Sequence, residues 1–260
     1  MRNPPLRHRI TPAALCGLLT LAAVGLASPS AYAAESDAVF SDFVVNGGKP
    51  VVVGTSKTVY VLVSYTFKNS VKVDEQYVFL YRDSIEDGKA VGTEYQGPYC
   101  KSGTSDKKYC EMTVVIVPKD DLVNADATLW KTGGIAYKSS GGDDIDKSSV
   151  TARLKRQSRV TLTLAATKPV QGKKFTITGK ITRANWNTHK FGPYGGRSVT
   201  LQFKAKGSST YTDVRKVTAT STGALKTTVT AGKDGSYRWA YFGNTTSSTA
   251  RSGGGAVDVQ

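Results

Sequence analysis

The sequence predicts an all-β protein: two tandem β-sandwiches behind a cleaved export signal. Three observations predict it. Apolar and polar side chains alternate along many short segments, the period of half-buried strands. Gly, Ser and Asp clusters punctuate those segments, and no convincing amphipathic helix interrupts them. The first 33 residues have the three-part form of a signal peptide.

In that leader, Arg2, Arg7 and Arg9 supply the positive start, 13–27 is apolar, and Ala31-Tyr32-Ala33 offers small residues where signal peptidase reads. The apolar run is shorter than the ~20 residues a membrane span needs. Cys16 does not read as a lipid anchor, because Leu15 precedes it and the apolar run continues beyond it. The expectation is a secreted, extracellular protein without a transmembrane anchor, held to the cell wall at most non-covalently. Its parts are the signal peptide (1–33), an N-terminal sandwich (34–150) and a basic C-terminal sandwich (151–260).

The strands follow in order. Val59, Val61, Val63, Tyr65 and Phe67 share one face, then Tyr77, Phe79 and Tyr81, and 113–117 reads as a buried strand stopped by Pro118. After a polar boundary beginning at Ser139-Ser140-Gly141-Gly142 come Phe175, Ile177 and Ile181. Val199, Leu201 and Phe203 follow, then Leu225, Thr227 and Val229, and finally Tyr237, Trp239 and Tyr241. The stretch 137–149 reads as a loop closing the first domain, and 119–125 as one helical turn. About seven strands fit between Arg159 and Gln260, the complement of an immunoglobulin-like sandwich.

Charge is divided unevenly. Residues 34–150 hold 13 Lys and Arg against 17 Asp and Glu, whereas residues 151–260 hold 19 against 3. A half this basic is drawn to polyanions. In an extracellular setting the implied partner is an anionic cell-surface polymer or a surface protein. The lysines are dispersed, however, which also suits a plain solvated surface. The densest group is Arg153, Lys155, Arg156 and Arg159. Specific nucleic-acid recognition is not expected, because no recognition motif is present.

Cys100 and Cys110 form an even pair for an oxidising compartment, so a disulfide clamping a hairpin-like loop is expected, worth roughly 2–3 kcal/mol. His189 is the one histidine beyond the leader, which rules out a His-pair metal site and leaves any nucleophile–His scheme a single candidate. There is no Gly-x-Ser-x-Gly elbow and no phosphate loop. The basic half offers only Asp213, Asp234 and Asp258 as acids, none an evident pair for glycoside hydrolysis. The chain therefore reads as a non-catalytic binding or structural protein, with a calcium-binding extracellular structural protein and an unrecognised secreted hydrolase as the alternatives.

The runs 176–190, 199–211, 221–229 and 234–239 together resemble the C-terminal immunoglobulin-like domain of secreted actinobacterial proteins that often carry a calcium-binding label. The early Val-Val-Asn-Gly-Gly-Lys-Pro-Val-Val-Val-Gly segment, the cysteine pair and the acidic segment after Pro118 extend the similarity over nearly the whole exported chain. The resemblance implies fold and export, but no established activity and no catalytic residues.

Two candidate sites remain. Asp143, Asp144 and Asp146 after Gly141-Gly142 could present carboxylate oxygens to calcium, although the EF-hand spacing is absent. Asp120, Asp121 and Asp126 are a second acidic group. The loop 184–197, too long for a hairpin turn, gathers Trp186, His189, Phe191, Tyr194 and Arg197. Exposed together, its aromatics would stack on sugar rings or a partner protein; folded back, they would cover the end of the sandwich. Apart from possible calcium, no cofactor is implied.

Overall fold

The computed structural model describes residues 38–69, 72–85, 88–92, 98–103 and 106–260. The signal-peptide reading lies outside them. The fold is all-β, as expected, in two compact β-sheet units. One comprises the described residues up to Gly48 together with 60–115 and 130–151; the other comprises 49–59, 116–129 and 152–260. The second unit therefore recruits two segments from the N-terminal half. No helix among the described residues is long and apolar enough to cross a membrane.

The first nine strands are β1 (Ala38–Val45), β2 (Val51–Val53), β3 (Val59–Asn69), β4 (Val73–Arg82), β5 (Lys89–Val91), β6 (Tyr99–Ser102), β7 (Lys107–Ile116), β8 (Leu129–Lys138) and β9 (Asp143–Arg156). In the first unit, one sheet runs β1-β3-β7-β6, with β1 antiparallel to β3 and β6 antiparallel to β7. The other contains β8 and β4 with β5 at its edge and the first part of β9. The alternation in β3 does what its pattern predicts: Val61, Val63, Tyr65 and Phe67 are buried. Phe40, Phe43, Tyr65 and Phe67 form an aromatic cluster with centroids 4.9–6.3 Å apart. The Phe40 ring lies over Gly134 of β8, where a Cβ would sit 2.4 Å from the ring, so a bare backbone is required.

The expected loop over 137–149 is instead a hairpin, β8 turning into the 14-residue β9. Gly141 and Gly142 supply the left-handed turn, at φ of 92° and 83°. The strand escapes a hydrophobic-pattern reading because its half-buried positions 144, 146 and 148 are Asp, Asp and Ser.

In the second unit the remaining strands are β10 (Ser158–Leu164), β11 (Lys174–Asn185), β12 (Lys190–Pro193), β13 (Ser198–Ala205), β14 (Thr212–Thr218), β15 (Ala224–Thr230), β16 (Gly235–Tyr241), β17 (Ala250–Arg251) and β18 (Gly255–Val257). β10 pairs one edge of β11; β15 and β12 share the other, along its first and second halves. In the facing sheet β13 lies between β14 and β16, and β17 and β18 share the far edge of β16. Ile177, Ile181 and Leu225 from one sheet meet Val199, Leu201 and Trp239 from the other in one core. Residue types at alternate positions therefore create two apolar faces, and their burial closes the sandwich.

Two segments from the N-terminal half complete this unit. β2 pairs in parallel with the end of β9, Val51 opposite Leu154. The 116–129 segment forms one α-turn, α1 (Pro118–Asp121), and a 3-10 turn at Asn124–Asp126. Their acids act as local caps: Asp121 accepts the Val117 N–H at 2.5 Å and Asp126 the Val123 N–H at 2.7 Å.

Candidate functional site

The 184–197 loop is not an open loop. Asn185 pairs with Lys190, so β11 and β12 make a hairpin turning through 186–189. Asn185 Oδ1 accepts the N–H groups of Asn187 (3.0 Å) and Thr188 (3.3 Å), and His189 takes the left-handed conformation at φ 54°. Asn124 clasps this turn. Its amide donates to Asn185 Oδ1 (2.9 Å), its Oδ1 accepts the Trp186 N–H (2.9 Å), and its own N–H donates to Asn187 (2.7 Å).

The aromatics of this hairpin are not presented together. Trp186 is 0 % exposed, and its indole N–H donates to the Gly54 carbonyl at 2.8 Å. A buried indole needs that partner, and the 49–59 segment provides it. Phe191 is half-buried beneath the Arg159 guanidinium, 3.6 Å from its ring centroid. Tyr194 is buried. His189 Nδ1 is buried and makes no hydrogen bond, so it lacks the carboxylate that would orient a catalytic imidazole. Of the two arrangements open to these aromatics, Trp186 and Tyr194 take the folded-back one, and the turn is a structural clasp.

The acidic candidates are engaged elsewhere. On β9, period two places Asp143 on the face opposite Asp144 and Asp146. Asp144 accepts the Ala38 N–H (3.0 Å) and pairs with Lys138 (3.2 Å). Asp146 accepts the Phe40 N–H at 2.6 Å. Burial first, and then the Asp144 charge, push the Asp146 carboxyl upward against that hydrogen bond. These two acids tie β1 to β9 rather than converge with Asp143 on one point. Among the described residues no three His, Cys, Asp or Glu side chains group around a metal position.

What the second unit does assemble is a cationic surface around Tyr194. The Arg183 guanidinium lies 4.1 Å from the Tyr194 ring centroid and that of Arg197 5.1 Å. Arg183 donates to Ser247 Oγ at 3.0 Å, and Ser247 hydrogen-bonds the Tyr194 hydroxyl at 3.0 Å. Asn244 (3.0 Å) and Tyr241 (3.4 Å) also donate to that hydroxyl. Arg156 joins through its Nε, 2.6 Å from the Ala184 carbonyl, and through backbone bonds to Thr246 and Ser248.

The electrostatics follow from this crowding. Burial first, and then the Arg183 charge, lower the Arg156 guanidinium to about 10. Burial opposes ionisation of Tyr194, but the hydrogen bonds from Ser247, Tyr241 and Asn244 and the Arg183 charge outweigh it and lower the phenol to about 8. Tyr241, which donates to it, moves the opposite way. No carboxylate among the described residues pairs with Arg156, Arg183 or Arg197. Arg197, Asn244 and Tyr241 also line an open groove of about 310 Å³, with Lys216, Thr200 and the 58 %-exposed Phe242. Lys216 reaches it because it stands opposite Thr200 in the β13–β14 ladder. The groove therefore presents two cations, hydroxyl and amide donors, and no acid.

Of the five residues expected at a binding site, the structure brings Arg197 to this groove, buries Tyr194 beneath the Arg183 and Arg197 guanidinium groups, and uses Trp186 elsewhere. Arg183, Lys216 and Asn244 were missed, and Arg156 was read only as a member of the densest basic group. Their legible signal was the scarcity of acids across 151–260, not their spacing.

No family model and no curated protein matches the chain. Among solved structures it is similar to the D00-D0 domain of intimin, at 15 % identity over 85 % of this chain and 100 % of that one, with a TM-score of 0.29. It is similar to the full ectodomain of mouse nectin-like molecule 4, at 12 % identity over 86 % and 64 % of the respective chains, TM-score 0.25. It is also similar to the Yersinia pseudotuberculosis adhesin InvE, at 12 % identity over 86 % and 59 %, TM-score 0.28. Likenesses at this level carry no conclusion about what the chain does.

Proposed function

We propose that the protein is a secreted, non-catalytic binding module whose basic unit holds an anionic cell-surface polymer along the Arg197–Lys216 groove. In this reading residues 1–33 are removed on export, and the groove belongs to the basic 151–260 half. One observation carries it: Arg156, Arg183 and Arg197 gather around Tyr194 and Ser247 without a carboxylate to neutralise them. Like charges held together in a partly buried setting are relieved by an external anion. Arginine forks also suit phosphate or carboxylate groups along a polymer.

The test is retention of the intact protein on immobilised polyphosphate and on purified cell walls over a salt series. The expected result is binding at low ionic strength that weakens steadily as salt rises. An Arg197→Ser, Lys216→Ser double variant whose circular dichroism matches the parent releases at lower salt. Absence of binding at low salt, or a double variant that matches the parent, overturns the reading.

A further inference from the structure

We infer that the first unit carries a separate site for a neutral carbohydrate, in the groove beside the Cys100–Cys110 hairpin. The groove measures about 380 Å³ and its lining includes Asp42, Tyr99, Lys101, Tyr109 and Glu111. None of these residues belongs to the cationic surface of the second unit, and no known activity or resemblance assigns them a role.

The tyrosines come first. Tyr99 is 65 % exposed and Tyr109 59 %, on two adjacent strands. Each immediately precedes a cysteine, and Cys100 stands directly opposite Cys110 with Cα atoms 4.1 Å apart. Period two turns the tyrosines to the face away from the sulfurs. In register, Tyr99 faces Glu111 and Lys101 faces Tyr109. The two rings are thus diagonal neighbours, about 7–8 Å apart at their Cα atoms. The covalent bridge holds that spacing, so little ordering remains to be lost on binding.

The polar groups complete the lining. Asp42 sits in a bulge of β1, where the register with β3 shifts between Ser41 and Val44. Its φ of 54° is a conformation that non-glycine residues rarely adopt. A bulge re-aims a side chain, and this one places a carboxylate at the groove, with Ser41 Oγ donating to Oδ2 at 3.1 Å. Lys101 lies 5.8 Å from the Tyr99 ring centroid. No ion pair joins Asp42, Lys101 or Glu111 to another described residue.

This set fits a sugar ring better than a polyanion or an apolar ligand. The negative π-faces of two tyrosines accept the slightly positive C–H face of a pyranose. Asp42 and Glu111 accept hydrogen bonds from ring hydroxyls, and the Lys101 ammonium donates to their oxygens. With two acids and one base the groove has no positive excess to attract an anionic chain. It is open along a sheet face rather than enclosed, which suits part of an oligosaccharide rather than a small buried cofactor.

The experiment titrates the intact protein with cellohexaose, maltohexaose, chitohexaose and mannohexaose, read by broadening of the sugar proton signals in NMR. At least one of the four binds, and raising the salt concentration leaves its affinity unchanged. Tyr99→Ala and Tyr109→Ala each weaken it at least about fivefold, the loss typical of truncating an aromatic anchor, while Tyr99→Phe retains it. Asp42→Ala weakens it as well. Circular dichroism of each variant should match the parent, since both tyrosines are exposed. Failure of all four sugars at millimolar concentration overturns the proposal. So does binding that is lost with salt, or that survives in the Tyr99→Ala, Tyr109→Ala double variant. Retention on polyphosphate is unaffected by these variants, so the two sites fail or stand separately.

Discussion

Replacing Trp186 with Phe isolates the bond that fastens the 49–59 segment into the second unit. The indole is fully buried and donates to the Gly54 carbonyl at 2.8 Å, with the Val53 carbonyl further off at 3.4 Å. Val53 keeps another donor, the Gln157 N–H at 2.9 Å, so the loss falls on Gly54. Losing that bond and leaving a buried acceptor unmet costs about 1–3 kcal/mol. The smaller ring leaves a cavity of roughly 40 Å³, worth about 1 kcal/mol more. A total near 3 kcal/mol, with a urea slope of about 2 kcal/mol per molar, lowers the unfolding midpoint by about 1.5 M. Urea melts followed by circular dichroism and tryptophan fluorescence measure this shift. A midpoint within about 0.3 M of the parent would refute the assignment of Trp186 as a structural clasp and return it to the candidates for binding.

Three further outcomes follow from the same structure. Asp146→Asn keeps an acceptor for the Phe40 N–H while removing a charge that burial and Asp144 disfavour. Because the folded pKa is raised, this group's contribution weakens as pH climbs past the ordinary carboxylate range. Asn should therefore hold or raise the melting temperature at neutral pH while Ala lowers stability by about 1–2 kcal/mol; an equal loss in both would contradict it. Gly134→Ala drives a methyl into the Phe40 ring, which has to move; a loss of about 1–3 kcal/mol in chemical denaturation is expected, and none would mean that the ring relocates freely. Tyr194 should ionise near pH 8, ahead of ordinary tyrosines, in a titration of tyrosinate absorbance. The unfolded chain holds that proton up to about pH 10, so this group adds stability as pH rises from about 8 to about 10; Arg183→Ala should move the step upward.

The strands whose inward positions are apolar were readable: β3, β4, β11, β13 and β16 all lie where alternation puts them. β9 was not, because Asp144 and Asp146 occupy its half-buried positions and satisfy backbone N–H groups more than 100 residues away. Trp186 was singled out from the sequence, but its direction depends on a carbonyl 132 residues distant. The cationic surface was legible only as a deficit of acids; what joins Arg156, Arg183 and Arg197 is their packing around Tyr194 and the 244–248 segment, which spacing does not encode. The tyrosine pair was within reach. Once Cys100 and Cys110 are taken as bonded across a hairpin, the residue before each must point to the opposite face.

Gly54 and Asn124 belong to the half of the chain that precedes the sandwich they complete. A fragment beginning at residue 151 would therefore be born with an empty socket for its own indole and an unfastened turn. A cut there would pass on the first unit nearly whole and the second without two of its own segments.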